Sequence, residues 1–237
     1  MLRVLDTVDD DLIEGMVVGR PNRFVLNVRF EGGDEEVFLA DPGALEVVSN
    51  GSTVLCRRVD DPDRETDYDA IAVEAGDFYV SLRAAFAETL FETAFTQSWL
   101  PAFEGYDLVE RQPELPDHGR GDFLFAAPEG SETFVEIKSC THATDGIGKF
   151  PDRPTERGRR HLESLAEIAE SGSEAHLVFV AQRPDIDVIT PYREIDPDFA
   201  DLLLDVTQRG VALHGIVTEF QPPEYLLRKE QIPVRLS

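Results

Sequence analysis

In the stretch Phe134-Val135-Glu136-Ile137-Lys138-Ser139 an acid and an amine stand two residues apart. A β-strand alternates its faces, so Glu136 and Lys138 project together from one side while Val135 and Ile137 occupy the other. Asp122 opens a second apolar run, Asp122-Phe123-Leu124-Phe125, and Pro128 to Ser131 supplies a turn that would fold the two runs into a hairpin with Asp122 near Glu136. Two neighbouring carboxylates can hold Mg2+ or Mn2+, which favour hard oxygen ligands. An adjacent lysine can orient or deprotonate water, or stabilise charge at phosphorus. The competing role for a Glu-x-Lys pair is an ordinary salt bridge on a strand surface. Composition weighs towards a site, because of 22 basic residues only Lys138, Lys149 and Lys229 are lysine.

A different signal comes from Phe150 to Leu165, where Arg153, Arg157, Arg159, Arg160 and His161 form the densest basic cluster of the chain. Pro154 and Thr155 read as a helix start, after which Arg157 and His161 fall on one stripe at four-residue spacing. Such a stripe either contacts phosphate or nucleic acid, or pairs with surrounding acids. On an earlier helical stretch Glu88 and Glu92 sit one turn apart. Glu92 is a candidate further metal ligand, with a solvated helix face as the competing role. Arg20 and Arg23 flank a turn ahead of Phe24, which makes either a basic, aromatic nucleic-acid surface or simply surface arginines near a turn. His118, His142, His176 and His214 are scattered without metal-ligand spacing. No Ser/His/Asp arrangement, phosphate-cradling glycine loop or dinucleotide motif occurs.

The elements that would position these residues divide the chain in two. From Ile13 to about Val73 short apolar runs alternate with turns at Pro21-Asn22, Gly32-Gly33-Asp34 and Asp41-Pro42-Gly43. About five short strands in so short a segment fit a small antiparallel barrel, with an OB-like fold as the leading candidate. A helix is expected over Leu82–Trp99, capped by Ser81 and closed by Pro101. Beyond it strands are expected near Tyr106–Arg111, Asp122–Ala126, Thr133–Ser139, Ala175–Ala181 and Ala212–Thr218, with helices near Thr155–Glu170 and Pro197–Arg209. That half reads as α/β, and the boundary falls near Asp77, giving domains of 1–77 and 78–237.

Length and charge bound the rest. A chain of 237 residues, 42% hydrophobic, can bury a real core in one large domain or two small ones. Its 47 acidic against 22 basic residues leave a formal charge of −25. An acidic, lysine-poor surface is expected of a halophilic protein, because in molar salt the Debye length is about 3 Å and self-repulsion is screened. At low ionic strength this charge would repel nucleic acid, an objection that high salt largely removes. No apolar run approaches the roughly 18–20 residues that span a bilayer, and Met1 to Asp11 lacks a signal-type apolar core, so the expectation is a cytoplasmic protein without membrane partners. Cys56 and Cys140 stand apart without a CxxC partner, which indicates neither a disulfide framework nor a cysteine zinc site.

Taken together, these segments resemble the sugar fermentation stimulation protein family. Phe150-Pro151-Asp152, Thr155-Glu156-Arg157-Gly158 and His161-Leu162 are similar to its FPDAxTxRGxxHLxEL signature, and Val135-Glu136-Ile137-Lys138-Ser139 to its VEVKS segment. Gly119 to Leu124 resembles its SRIDFLL segment, and Arg20 to Phe24 its RxxRF. Asp41-Pro42-Gly43-Ala44-Leu45 is a diverged form of its PNTGRM-like segment, with Asp41-Pro42 in place of Asn-Thr. The resemblance implies a mixed β and α/β fold: an N-terminal OB-like β-barrel, then a PD-(D/E)xK nuclease-like α/β domain. It implies that Asp122, Glu136 and Lys138 form the nuclease core, that Arg157 and His161 lie on the helix that follows, and that the barrel contacts nucleic acid, with DNA as the expected form. The function expected is a nucleic-acid-binding protein with a divalent-metal-dependent phosphodiesterase site using Mg2+ or Mn2+. The alternative is a non-catalytic DNA-binding regulator of sugar metabolism on a nuclease scaffold.

Overall fold

The computed structural model describes residues 3–9, 11–41, 47–116 and 119–236. The diverged segment from Pro42 to Leu45, and His118, lie outside them. Strands dominate the first part because valine, leucine and phenylalanine alternate with polar residues between turn-forming Gly, Pro and Asp. After β1 (Arg3–Thr7) come β2 (Leu12–Asn22), β3 (Val25–Phe30), β4 (Gly33–Phe38), β5 (Thr53–Arg58) and β6 (Tyr68–Ala75). β2 to β6 pair in the order β4-β3-β2-β5-β6, and β4 closes the ring by meeting β6 in parallel at Val37 and Tyr68. Leu26 and Val28 of β3, Val54 and Cys56 of β5 and Ala70 and Val73 of β6 fill its interior. This is a five-stranded OB barrel.

The chain then passes through β7 (Phe78–Ser81), α1 (Phe86–Thr96), β8 (Asp107–Arg111), β9 (Phe123–Ala126) and β10 (Glu132–Cys140). β11 (Ala143–Thr144), β12 (Ile147–Phe150), α2 (Glu156–Glu170), β13 (Glu174–Ala181), β14 (Val188–Pro191), α3 (Pro197–Gln208), β15 (Ala212–Gln221) and β16 (Glu224–Ile232) follow. The main sheet runs β7-β15-β13-β10-β9-β8, with β10, β13 and β15 mutually parallel. Covered on both faces, β13 is an almost unbroken buried run from Ala175 to Ala181, as a central parallel strand must be. β11, β12 and β14 make a separate three-stranded sheet. The second part is therefore an α/β domain.

The first helix is shorter than its periodicity predicts, and Ser81 does not cap it. The Leu82 N–H donates to the Ile71 carbonyl at 2.9 Å and its side chain is buried in the barrel core, so Leu82 is held against the barrel just past β7 and outside the helix. The Ser81 hydroxyl lies 3.2 Å from the Tyr225 hydroxyl instead. The expected boundary near Asp77 falls between β6 and β7, yet the packing is not divided there. β1 pairs antiparallel with β16, and one core cluster joins Leu5, Leu55 and Ile71 to Phe91, Phe125 and Tyr225. Cys56 and Cys140 are both buried and free. Among the described residues no helix is long and apolar enough to cross a membrane.

Candidate active site

The expected hairpin between the two apolar runs is β9–β10, and its register places Phe123 opposite Val135. Asp122, the next residue outward, thereby comes to Glu136, and its carboxylate accepts the Ile137 N–H at 2.6 Å. β10 sends Val135 and Ile137 into the core beneath α1, while Glu136, only 2% exposed, meets His161 of α2. Glu136 Oε1 accepts from both Lys138 Nζ and His161 Nδ1, whereas the buried Oε2 has no hydrogen-bond partner. Arg157 Nε donates to His161 Nε2 at 3.3 Å. A guanidinium can only donate, so Nε2 is the accepting nitrogen, and the imidazole proton sits on Nδ1 facing Glu136.

The helix bearing Arg157 and His161 begins as the residues around it require. Thr155 caps α2 by accepting the Gly158 N–H at 3.0 Å. A Cβ at Gly158 would stand 2.7 Å from the Thr155 methyl and 2.8 Å from its hydroxyl, so only glycine allows this cap. Asp196, itself the cap of α3, accepts the Thr155 N–H at 2.8 Å and binds Arg159 Nη1 at 2.7 Å. The basic cluster is therefore split by role. Arg157 and His161 turn into the site, Arg159 ties α2 to α3, and Arg160 lines a separate hollow beside Glu163.

Burial first, and Glu136 second, push the Asp122 carboxyl up to about 7. Glu136 is pushed up by burial as well, but Lys138 and His161 outweigh this and hold it below the ordinary carboxylate range. Half-buried Glu88 of α1 lies within electrostatic reach of the pair: it is raised by burial and by Glu136, against the opposing pull of Lys138 and Arg157. Glu92 does not join it, because Arg111 of β8 captures its carboxylate at the surface. Of the two acids on this helix, Glu88 is the one coupled electrostatically to Glu136, and Glu92 is paired with Arg111. An orphaned buried carboxylate oxygen beside a carboxyl of raised proton affinity is a donor set that fits a hard cation. Among the described residues no group of three or more His, Cys, Asp or Glu is placed to hold a metal ion. The fit is to an ion that takes one or two carboxylates and completes its shell with water and phosphate, as Mg2+ does.

Lys138 and Arg157 also line a cleft of about 550 Å³ between the two domains, walled further by Asp41 of the barrel and by Thr141, Lys149 and Arg153. Thr141 Oγ1 donates to Asp41 at 3.3 Å, joining the walls. The barrel arginines stand further out. Arg20 is pulled down by burial, against Asp41, and donates to the Arg23 carbonyl at 3.0 Å. The Arg23 guanidinium lies 4.6 Å from the centre of the Phe24 ring. Arg23 lines a hollow on the barrel together with Phe24, and Arg20 is coupled electrostatically to Asp41 in the cleft wall. Tyr192 was not singled out from sequence, where Arg153 figured only as a member of the basic cluster and Lys149 only as one of the three lysines. Tyr192 stacks on His142 at 4.8 Å and carries Lys149 Nζ 4.8 Å from its ring centre. The scarcity of lysine that marked Lys138 also marks Lys149.

Comparison with known proteins covers nearly the whole chain. Residues 85–224 match the family described as "Sugar fermentation stimulation protein RE domain", and residues 18–82 match "SfsA N-terminal OB domain". The chain is 36% identical over 235 residues to a sugar fermentation stimulation protein homolog of Symbiobacterium thermophilum, covering 92% of each. It is 35% identical over 213 residues to that of Acetivibrio thermocellus, covering 89% of this chain and 90% of the relative. Among solved structures it is similar to Pyrococcus furiosus SfsA in complex with Ca2+, with a TM-score of 0.89 at 27% identity, covering 98% of this chain and 99% of the other.

Proposed function

The chain belongs to the sugar fermentation stimulation protein family, and from that premise we propose that it is a nucleic-acid-binding protein whose α/β domain is a divalent-metal-dependent phosphodiesterase of the PD-(D/E)xK type. The observation that carries this reading is Glu136, buried, held by Lys138 and His161 through one oxygen and left without a partner at the other. An unmade hydrogen bond on a buried charge is costly, and a cation relieves it. The Ca2+ complex of the Pyrococcus furiosus relative supports a divalent ion here.

Asp122 and Glu136 would hold Mg2+ or Mn2+, with Glu88 within electrostatic reach. The ion would polarise phosphate and water so that hydroxide forms near neutral pH. Lys138 holds an ammonium against Glu136, from which it would stabilise the negative charge that develops on the phosphoryl oxygens. His161 fixes Glu136 from the other side and is itself fixed by Arg157, which also lines the cleft. Asp122, with its raised proton affinity, would have to give up its proton to serve as a ligand.

The test is calorimetric titration of Mg2+ and Mn2+ into wild type, Glu136→Ala, Glu88→Gln and Glu92→Gln, followed by incubation with DNA and RNA with and without EDTA. Binding should vanish in Glu136→Ala, weaken about tenfold or more in Glu88→Gln and be unchanged in Glu92→Gln. Cleavage should require metal and disappear in Glu136→Ala and Lys138→Ala. Full activity in Glu136→Ala would sink the assignment.

A further inference from the structure

We infer that the barrel and the cleft form one continuous groove for a single strand of nucleic acid, with unpaired bases stacking on Phe24 and Phe38 and phosphates led by arginine and lysine towards Glu136. This inference deepens the phosphodiesterase reading and rests on it for the destination of the strand.

Three adjoining hollows share walls. The outermost, about 790 Å³, lies on the barrel between the β2–β3 turn and the loop before β6, and is lined by Arg23, Phe24, Phe38 and Arg64. Phe38 also lines the next, of about 260 Å³, together with Arg83 and Phe86. Ala40 and Ala85 pass from that hollow into the wall of the active-site cleft. The face of an OB barrel flanked by these two loops is where such folds take up extended polymers.

Charge pairing singles out the same run. Most cations of this acidic chain sit on carboxylates, as Arg57 and Arg64 do on Asp69 and Arg209 does on Glu163 and Glu170. Among the described residues Arg23, Arg83, Lys149, Arg153 and Arg157 have no carboxylate within ion-pair distance, and all five line the groove. Arg58, Arg120, Arg160 and Arg235 are the others, and they lie off it. Arg23 and Arg83 rest instead on the rings of Phe24 and Phe86, at 4.6 and 3.6 Å from the ring centres. Cations left without an acid where acids outnumber them about two to one fit a polyanion.

The aromatic rings decide strandedness. Phe24 and Phe38 keep 38% and 37% of their surface exposed at the outer end of the groove. A ring stacks on a base only when the base has left its own stack, so such a platform takes single strands and not intact duplex. Stacking also survives the salt that screens phosphate contacts, which matters for a chain whose net charge of −25 repels nucleic acid at long range.

The experiment is fluorescence anisotropy in EDTA with labelled oligonucleotides of about 12 nucleotides. DNA and RNA strands are used, each single and annealed, with wild type, the Phe24→Ala/Phe38→Ala pair and the Phe24→Tyr/Phe38→Tyr pair. Wild type should bind at least one kind of single strand more tightly than the matching duplex, and the DNA and RNA arms identify which. The alanine pair should weaken that binding at least tenfold with Tm and Mg2+ binding unchanged, and the tyrosine pair should restore it. Equal binding of duplex, or undiminished binding by the alanine pair, overturns the inference. Strands bound as expected but never cut with metal would instead overturn the phosphodiesterase reading alone. Cutting indifferent to both phenylalanines would overturn the groove alone.

Discussion

Burial and the neighbouring Glu136 push the Asp122 carboxyl up to about 7 from an ordinary 3.8. The folded protein therefore keeps a proton that the unfolded chain has already released over the window from about 4 to about 7. Stability must fall as pH rises through that window and level off above it. Asp122→Asn, which preserves the acceptor for the Ile137 N–H, removes this loss. In EDTA the variant should match wild type near the bottom of the window and exceed it by a few kcal/mol at pH 8, read by urea unfolding at several pH values. Parallel pH profiles for the two proteins would assign the titration elsewhere. The core trio was legible because the two-residue period of a strand fixes which side chains share a face, and because lysine is rare here. The choice between Glu88 and Glu92 was not legible. It depends on Arg111, which lies on another element and takes the Glu92 carboxylate.

α2 shows how much one turn of helix can hold. The Thr155 hydroxyl binds the Gly158 N–H, and the Thr155 N–H binds Asp196, the cap of α3. Thr155→Ala should destabilise the protein by about 1 kcal/mol in chemical denaturation while Thr155→Ser keeps most of that stability. A Thr155→Ala variant as stable as wild type would mean that the cap is not limiting. Cap, proline and basic stripe are local signals, so α2 could be read from sequence nearly to its ends. The start of α1 could not, since Leu82 fits a helical period equally well and only its hydrogen bond to Ile71 and its burial in the barrel core keep it out of the helix. β1 and β16 were missed for a related reason. β16 carries Arg228, Lys229 and Glu230 beyond its apolar start, and its strand character comes from pairing with β15 and with β1 at the far end of the chain.

At the scale of the whole molecule, charge sets the conditions under which everything else operates. With a net −25, self-repulsion opposes the compact state until salt screens it. Raising KCl from about 0.1 to about 2 M should lift Tm by roughly 5 °C or more, where each kcal/mol is worth about 2–4 °C at this size. A Tm that falls across the series would show that surface ion pairs, which salt weakens, dominate instead. Fold class was visible in the alternation of apolar and turn residues, whereas the shared core across Asp77 was not, because it is made by residues far apart in the chain.

That shared core has a consequence through β7. The strand pairs with β6 of the barrel from Ala72 to Ala75 and also meets β15 of the α/β sheet at Tyr79 and Phe220. No swinging linker separates the two domains, so the barrel is a fixed reference mark for the carboxylates. On the proposed reading the protein measures as it cuts. The scissile bond would lie at a constant offset from whichever base is held on Phe24.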